Sequence, residues 1–337
     1  MTRLVGRRLV SAVPNLIGVI VITFLLTRLL PGDPAAYFAG PAATSQSIDE
    51  IRHKLGLDRG PLEQFGHYVT DLAHGDLGRS LTSGQPVIAD LVDRLPASLE
   101  LTSIALVLAL AAGIALGVGA ALRPGGPIDF LCGLVSMIGQ AMPTFFLGLV
   151  LVFVFYYLLG WTSAPLGRLD VTIAPPPRLT GFLLVDSLLA GNLPVFAAAA
   201  GQLVLPSITL ALFGIGPIAR MARASLIEVL SSDFVRTARA AGLSPRKVLW
   251  TYAFHNAAVP IVITTGMVFS FLLGANVLVE KVFGWPGVGA YAIEAVLASD
   301  FAPVQGFVLL MAVLYILVNL AIDIVTALLD PRVSHDV

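Results

Sequence analysis

Six apolar runs, each close to the length that crosses a lipid bilayer, constrain this chain more than any other feature. They fall near residues 9–30, 99–121, 131–159, 202–220, 260–280 and 304–328. At 1.5 Å of rise per residue, a helix of about 20 residues spans the ~30 Å hydrocarbon layer. Only 12% of the 337 residues are charged, against roughly 25% in a soluble domain. The expected fold is an all-α polytopic membrane protein with about six transmembrane helices. The run from Leu9 to Leu30 follows a basic start, as in a signal peptide. It is too long for a typical signal core, and no small-residue cleavage site follows, so it reads as a retained first span.

Two stretches leave alternatives open. Pro206, Gly214, Gly216 and Pro217 interrupt the fourth run, which reads either as a kinked packing helix or as a helix lining a pathway. Residues 182–200 read as an interfacial helix or an additional insertion, although Asp186, Gly191, Asn192 and Pro194 argue against a simple span.

Basic residues set the orientation. Arg3, Arg7 and Arg8 precede the first span, and Arg123 lies between the second and third. Arg220, Arg223, Arg236, Arg239, Arg246 and Lys247 cluster between the fourth and fifth, and Arg332 follows the last. With six spans all lie on one side, which is expected to be cytoplasmic, with both termini. The expected organisation is an N-terminal segment and first span (1–30), a small folded extracytoplasmic segment (31–98), a membrane core (99–328) containing a cytoplasmic loop at 221–259, and a cytoplasmic tail (329–337). In the external segment, residues 47–58 have a helical pattern, with Ile48, Ile51 and Leu55 on one face and Ser47 as cap. That segment either shields helix ends or docks a soluble partner.

Catalytic motifs are missing. The sequence contains no GxxxxGK[ST], GxSxG or HExxH. His53, His67 and His74 lack metal-ligand spacing, and the single cysteine, Cys132, reads as core packing. Net charge is −1, which gives no bulk attraction for nucleic acid. No catalytic residue, metal or bound cofactor is expected. Glu100 sits where the second run begins and reads as an acid favoured by a helix N-terminus. Asp323, one turn after Asn319 on the same face, reads either as an ion-pair partner near the inner interface or as an intramembrane acid with a role in transport.

The loop from Asp233 to Pro260 is soluble in character. Ser232-Asp233 starts a helix, Phe234, Ala238 and Ala241 share a face, and Gly242 ends it. Ser244-Pro245 then starts another. Two capped helices around Gly242 fit a docking surface better than an ordinary basic loop does.

Several stretches occur in order: TRLLPGDP, GDLGRS, PASLELT, LPSITLALFGIGPIARMARASLIEVLSSDFVRTARAAGLSPRKVLWTYAFHNAAVP, VEKVFGWPGVGAYAIEAVLASDFAPVQG and DPR. Through them nearly the whole chain resembles inner-membrane permease subunits of ABC importers in the dipeptide/oligopeptide group. The resemblance implies a cytoplasmic coupling helix, with Arg236-Thr237-Ala238 in place of the Glu-Ala-Ala by which the loop motif is commonly described, a start often found in the peptide group, and Gly242 at its glycine. Asp233, Arg236, Thr237, Ala238, Ala240, Gly242, Leu243, Ser244 and Pro245 are the implied ATPase-coupling residues. Pro31, Gly32, Asp33 and Pro34 are structural or gating candidates. So are Gly75, Asp76 and Gly78, then Glu280, Trp285, Pro286, Gly287 and Gly289, and finally Asp323. The resemblance further implies a second homologous permease subunit, two ATPase subunits using ATP and Mg2+, an extracytoplasmic substrate-binding protein, and a bacterial inner membrane. It names no substrate-binding residue. Nickel chelates, glutathione or glycosides are alternative cargoes. A proton-coupled secondary transporter acting alone and a non-transporting membrane scaffold are the competing classes.

Overall fold

The computed structural model describes residues 2–29, 34–40, 43–54 and 56–329. The first long helix, α1 (Thr2–Leu29), is followed by three short ones, α2 (Pro34–Ala39), α3 (Ser45–Lys54) and α4 (Pro61–Ala73). Then come α5 (Val87–Leu122), α6 (Pro127–Ala141) and α7 (Thr144–Leu151), the last winding on as a π-helix over Val152–Leu158. Next are α8 (Leu183–Leu189), α9 (Leu193–Leu230) and α10 (Asp233–Ala240). The short α11 (Pro245–Lys247) passes through a π-helical stretch, Val248–Ala253, into α12 (Phe254–Val282). The last elements among the described residues are α13 (Val288–Leu297) and α14 (Phe301–Leu329). Among the described residues, the one isolated β-bridge pairs Arg79 with Pro86. The fold is all-α.

Five of the described helices are long and apolar enough to cross a bilayer, and a bent pair supplies a sixth crossing if it forms one span. That pair corrects the third expected span. Residues 131–159 do not form one helix, because α6 and α7 meet at 105°. Met142 is extended there (φ −117°, ψ 142°). The ring of Pro143 disfavours helical backbone in the residue before it.

The other spans differ mainly in extent. α5 has 36 residues, about 54 Å, and begins at Val87 rather than near 99. Glu100 therefore lies well inside the helix, where the dipole of an N-terminus does not act. α9 has 38 residues and runs unbroken through Pro206 and Pro217. It also takes in half of the 182–200 stretch, which is neither a span nor a single interfacial helix. That stretch divides at Gly191 (φ 64°) into α8 and the start of α9. Asn192 caps α9, its side chain accepting from the Val195 N–H at 3.2 Å. In the external segment, Thr44 and not Ser47 caps α3, accepting from the Ser47 N–H at 3.3 Å. Leu55 lies outside the described residues.

The core runs between α5, α9 and α12. Leu101, Ala105 and Ala109 meet Leu203, Leu210, Ile215 and Ile218, with Val268, Leu272 and Val279 closing the third side. Phe213 stacks on Phe271 at a ring separation of 4.0 Å. Lipid chains are as apolar as leucine, so close packing rather than escape from water holds such helices together. Small residues make it possible. A Cβ on Gly117 of α5 would lie 2.6 Å from the Ala219 carbonyl oxygen of α9.

Candidate functional site at the two ends of the bundle

At one end, α9 and α12 are joined through α10. Ser232 starts α10 from extended backbone (φ −70°, ψ 156°), and Asp233 lies in its first turn, where negative charge favours the helix dipole. The helix stops at Gly242, whose φ of 76° favours glycine. The Gly242 N–H reaches the Arg239 carbonyl at 3.0 Å and the Leu243 N–H reaches the Ala238 carbonyl at 3.3 Å. This is the paired arrangement of a Schellman cap. Leu243 folds back over Val235, Ala238 and Val248, fixing α10 on the bundle. Ser244 then caps the next helix by accepting from the Lys247 N–H at 3.4 Å, with Pro245 at its first position.

Two points differ from the expected loop. Its second helix is not a separate short element, because α11, the π-helical stretch and α12 run on as one helical segment, Pro245–Val282, long and apolar enough to cross a membrane. The buried face of α10 carries Val235 and Ala238, whereas Phe234 and Ala241 are exposed. Val235 and Ala238, three apart on one face, pack with Leu243 and Val248. Arg236, Thr237, Arg239 and Ala240 are exposed beside Phe234. Arg223 anchors the base of the loop through a two-point pair with Asp129 of α6, at 2.5 and 2.9 Å.

The opposite end is held by buried carboxylates. Glu280, at 1% exposure, accepts from Ser98 Oγ at 2.5 Å, Asn276 Nδ2 at 2.8 Å and the Ala290 N–H at 2.9 Å. Ser98 in turn accepts from the Val288 N–H at 2.9 Å. Trp285, also buried, donates its indole N–H to the Ala97 carbonyl at 2.9 Å. A Cβ on Gly287 would strike the Glu280 carboxylate, and one on Gly289 would lie 2.6 Å from Val277 Cα. Residues 280–290 therefore wrap around one carboxylate and fix α13 to α5, with Pro286 exposed on the outside of the turn.

Three further carboxylates continue the pattern. Glu100 pairs with Arg168 at 2.6 Å and accepts from the Leu184 N–H at 2.8 Å, bringing the 159–182 link onto α5. Asp300 accepts from Ser80 Oγ at 2.8 Å and the Thr82 N–H at 3.1 Å. Burial works to raise the pKa of Asp186, yet hydrogen bonds from Thr180 and the Gly181 N–H outweigh it and hold the carboxyl below its usual value. Gly75 and Gly78 turn with positive φ, and Asp76 accepts from the Gly78 N–H at 2.8 Å. The GDLGRS stretch thus reaches Asp300 through Ser80. Pro34 opens α2, while Pro31, Gly32 and Asp33 lie outside the described residues. Asp323 is far from this end and pairs with Arg8 of α1 at 2.8 Å.

Ser98, Asn276, Arg168 and Asp300 escaped sequence reasoning. Ser98, Arg168 and Asp300 each meet a partner far away in the chain, whereas Asn276 meets Glu280 one turn later on the same helix. For Ser98 and Asn276, a polar residue within or at the edge of an apolar run was the available signal.

Among the described residues, no group of three or more His, Cys, Asp or Glu side chains is placed to hold a metal ion. Fold and ends define a multi-pass helical membrane protein that displays a capped loop helix at one end and a carboxylate-locked cap at the other. The chain belongs to the family described as binding-protein-dependent transport system inner membrane component, which matches residues 113–335. Residues 1–102 match the corresponding N-terminal membrane-component family. The chain is 43% identical over 318 residues to the probable D,D-dipeptide transport system permease protein of Escherichia coli (strain K12), covering 94% of this chain and 93% of that protein. It is 41% identical over 336 residues to the di/tripeptide transport system permease protein of Pseudomonas aeruginosa (strain UCBPP-PA14), covering 99% of each. A chain from the inward-facing MetNI methionine ABC transporter shares the fold with a TM-score of 0.53 at 18% identity, over 72% of this chain and 97% of that one. The protein is a multi-pass inner-membrane permease subunit and is not itself an enzyme.

Proposed function

We propose that the chain is one of two homologous permease subunits of an ATP-driven importer of dipeptides or oligopeptides. The observation that carries this reading is the end-to-end similarity, 41% over 99% of both chains, to a di/tripeptide permease. In this reading, two ATPase subunits use ATP and Mg2+ on the cytoplasmic side, and a soluble binding protein delivers peptide to the side formed by residues 31–98, 160–201 and 281–303. Both termini are cytoplasmic.

α10 is the element that receives the ATPase stroke. Val235 and Ala238 tie it to α9 and, through Val248, to the π-helical stretch that leads into α12, while Phe234, Arg236, Thr237 and Arg239 face outward. A push on that face passes directly into α12, which continues across the membrane to Glu280. Glu280 and its donors join the far end of α12 to α5 and α13. The two ends can then move as one rigid body in alternating access.

The test is reconstitution with the second permease and both ATPases in liposomes, followed by labelled di- and tripeptide uptake with binding protein outside and ATP supplied to the ATPase side. ATP-dependent uptake is expected. Uptake that persists without the ATPase subunits would sink the reading.

A further inference from the structure

The Arg8–Asp323 pair closes one end of a half-open groove of about 890 Å3 between α1, α12 and α14. That volume falls in the range of small-molecule sites. The groove is amphipathic along its length. Arg8, Ser11, Asn15, Asp323 and Thr326 gather toward one end, while Val19, Ile22, Met267 and Ile316 line the rest. From Arg8 to Ile22, α1 rises about 21 Å, more than half of the ~30 Å hydrocarbon layer.

A second observation points to a ligand. Thr326 is 6% exposed and lines the groove, and its hydroxyl has no hydrogen-bond partner. The hydroxyls of Thr209 and Thr265 each donate to the carbonyl four residues back, at 2.8 Å. Thr326 makes no such bond. It lies three residues after Asp323, on the same helix face. Arg8 and Asp323 side chains keep 45% and 23% of their surface exposed, so each can take an additional partner.

We propose that this groove holds one phospholipid with a zwitterionic head, drawn from the leaflet beside the α10 end. The head phosphate sits on Arg8 and its ammonium on Asp323, and Thr326 turns its enclosed hydroxyl toward the groove to donate to a head-group or ester oxygen. One acyl chain lies along Val19, Ile22, Met267 and Ile316. A purely anionic head would set a second negative charge against Asp323 without a cation to balance it. The opening between membrane-crossing helices gives a lipid direct entry from the side.

The complex is purified with its partner subunits and given an equal mixture of phosphatidylethanolamine and phosphatidylglycerol, and retained lipid is measured by native mass spectrometry. Retention of phosphatidylethanolamine should exceed that of phosphatidylglycerol by about tenfold, the effect of one additional charge-assisted contact. Asp323→Asn should abolish the preference, and Thr326→Val should reduce retention of both lipids. If the single charge variant fails to assemble, the double exchange Arg8→Asp with Asp323→Arg keeps the α1–α14 pair and should still retain the zwitterionic lipid. Equal retention of the two lipids, or a preference that survives Asp323→Asn, overturns the proposal. So does an efficient photo-crosslink from a benzophenone side chain placed at Gly18 to the second permease, which would show a protein helix covering the groove.

Discussion

Replacing Gly242 separates a backbone requirement from a steric one. A Cβ built on Gly242 meets nothing within 4 Å, so within this chain a side chain has room. Its φ of 76° nevertheless lies where a non-glycine residue costs about 1–2 kcal/mol. Asparagine tolerates this conformation better than alanine, and a β-branched residue tolerates it least. Proline is the extreme case. It fixes φ near −65° and removes the N–H that reaches Arg239, at a cost of about 3 kcal/mol or more. Losses of that order detach α10 from Val248 while leaving the α5–α9–α12 core intact. The expected order of coupled uptake is therefore Gly, then Asn, Ala, Val and Pro, with membrane insertion preserved throughout. In the proline variant, ATP hydrolysis should persist while peptide uptake is lost. The assay is parallel measurement of ATP turnover and peptide accumulation in proteoliposomes. A loss that follows side-chain volume, with Asn worse than Ala, would refute the reasoning. The glycine would then be needed for contact with a partner surface and not for its backbone angle.

Other outcomes follow from the carboxylate-held end. Glu280→Gln places an NH2 where the carboxylate now accepts, orphaning at least one buried donor at about 1–3 kcal/mol. Thermal unfolding in detergent should show it, and the loss should be non-additive with Ser98→Ala. Arg168→Leu leaves Glu100 buried without its cation and should cost about 3–5 kcal/mol, with Glu100→Gln in the same chain recovering part of the loss. Asp186 has its carboxyl held below the ordinary range in the folded protein. Its contribution is thus full above the unfolded value of about 3.9 and fades as pH falls through the lower folded value. Unfolding temperature should drop below about pH 4, and Asp186→Asn should flatten that drop.

The all-α class and the approximate place of each crossing were legible because both depend on local quantities. An apolar run near 20 residues needs no partner to be recognised, and neither does Ser244-Pro245 at a helix start or Gly242 at a helix end. Errors arose where a distant contact or a single bond decided. The 131–159 run was long and apolar enough for one span, yet Pro143 turned it by 105°. Glu100 looked like a residue at a helix start, but α5 begins at Val87, and Arg168 reaches the acid from 68 positions away.

By itself the sequence determined that this chain lives in a bilayer, carries a basic capped loop and lacks catalytic motifs. These follow from composition and from spacing within a few residues. Tertiary structure alone decided that the loop's second helix is the beginning of a membrane-crossing segment. It also decided that Val235 rather than Phe234 faces the bundle, and that Glu280 gathers Ser98, Asn276 and Ala290 around one carboxylate. Those facts depend on which helices lie side by side. In an environment where lipid and leucine are equally apolar, hydropathy carries little information about helix neighbours, and close packing and paired polar groups make the choice.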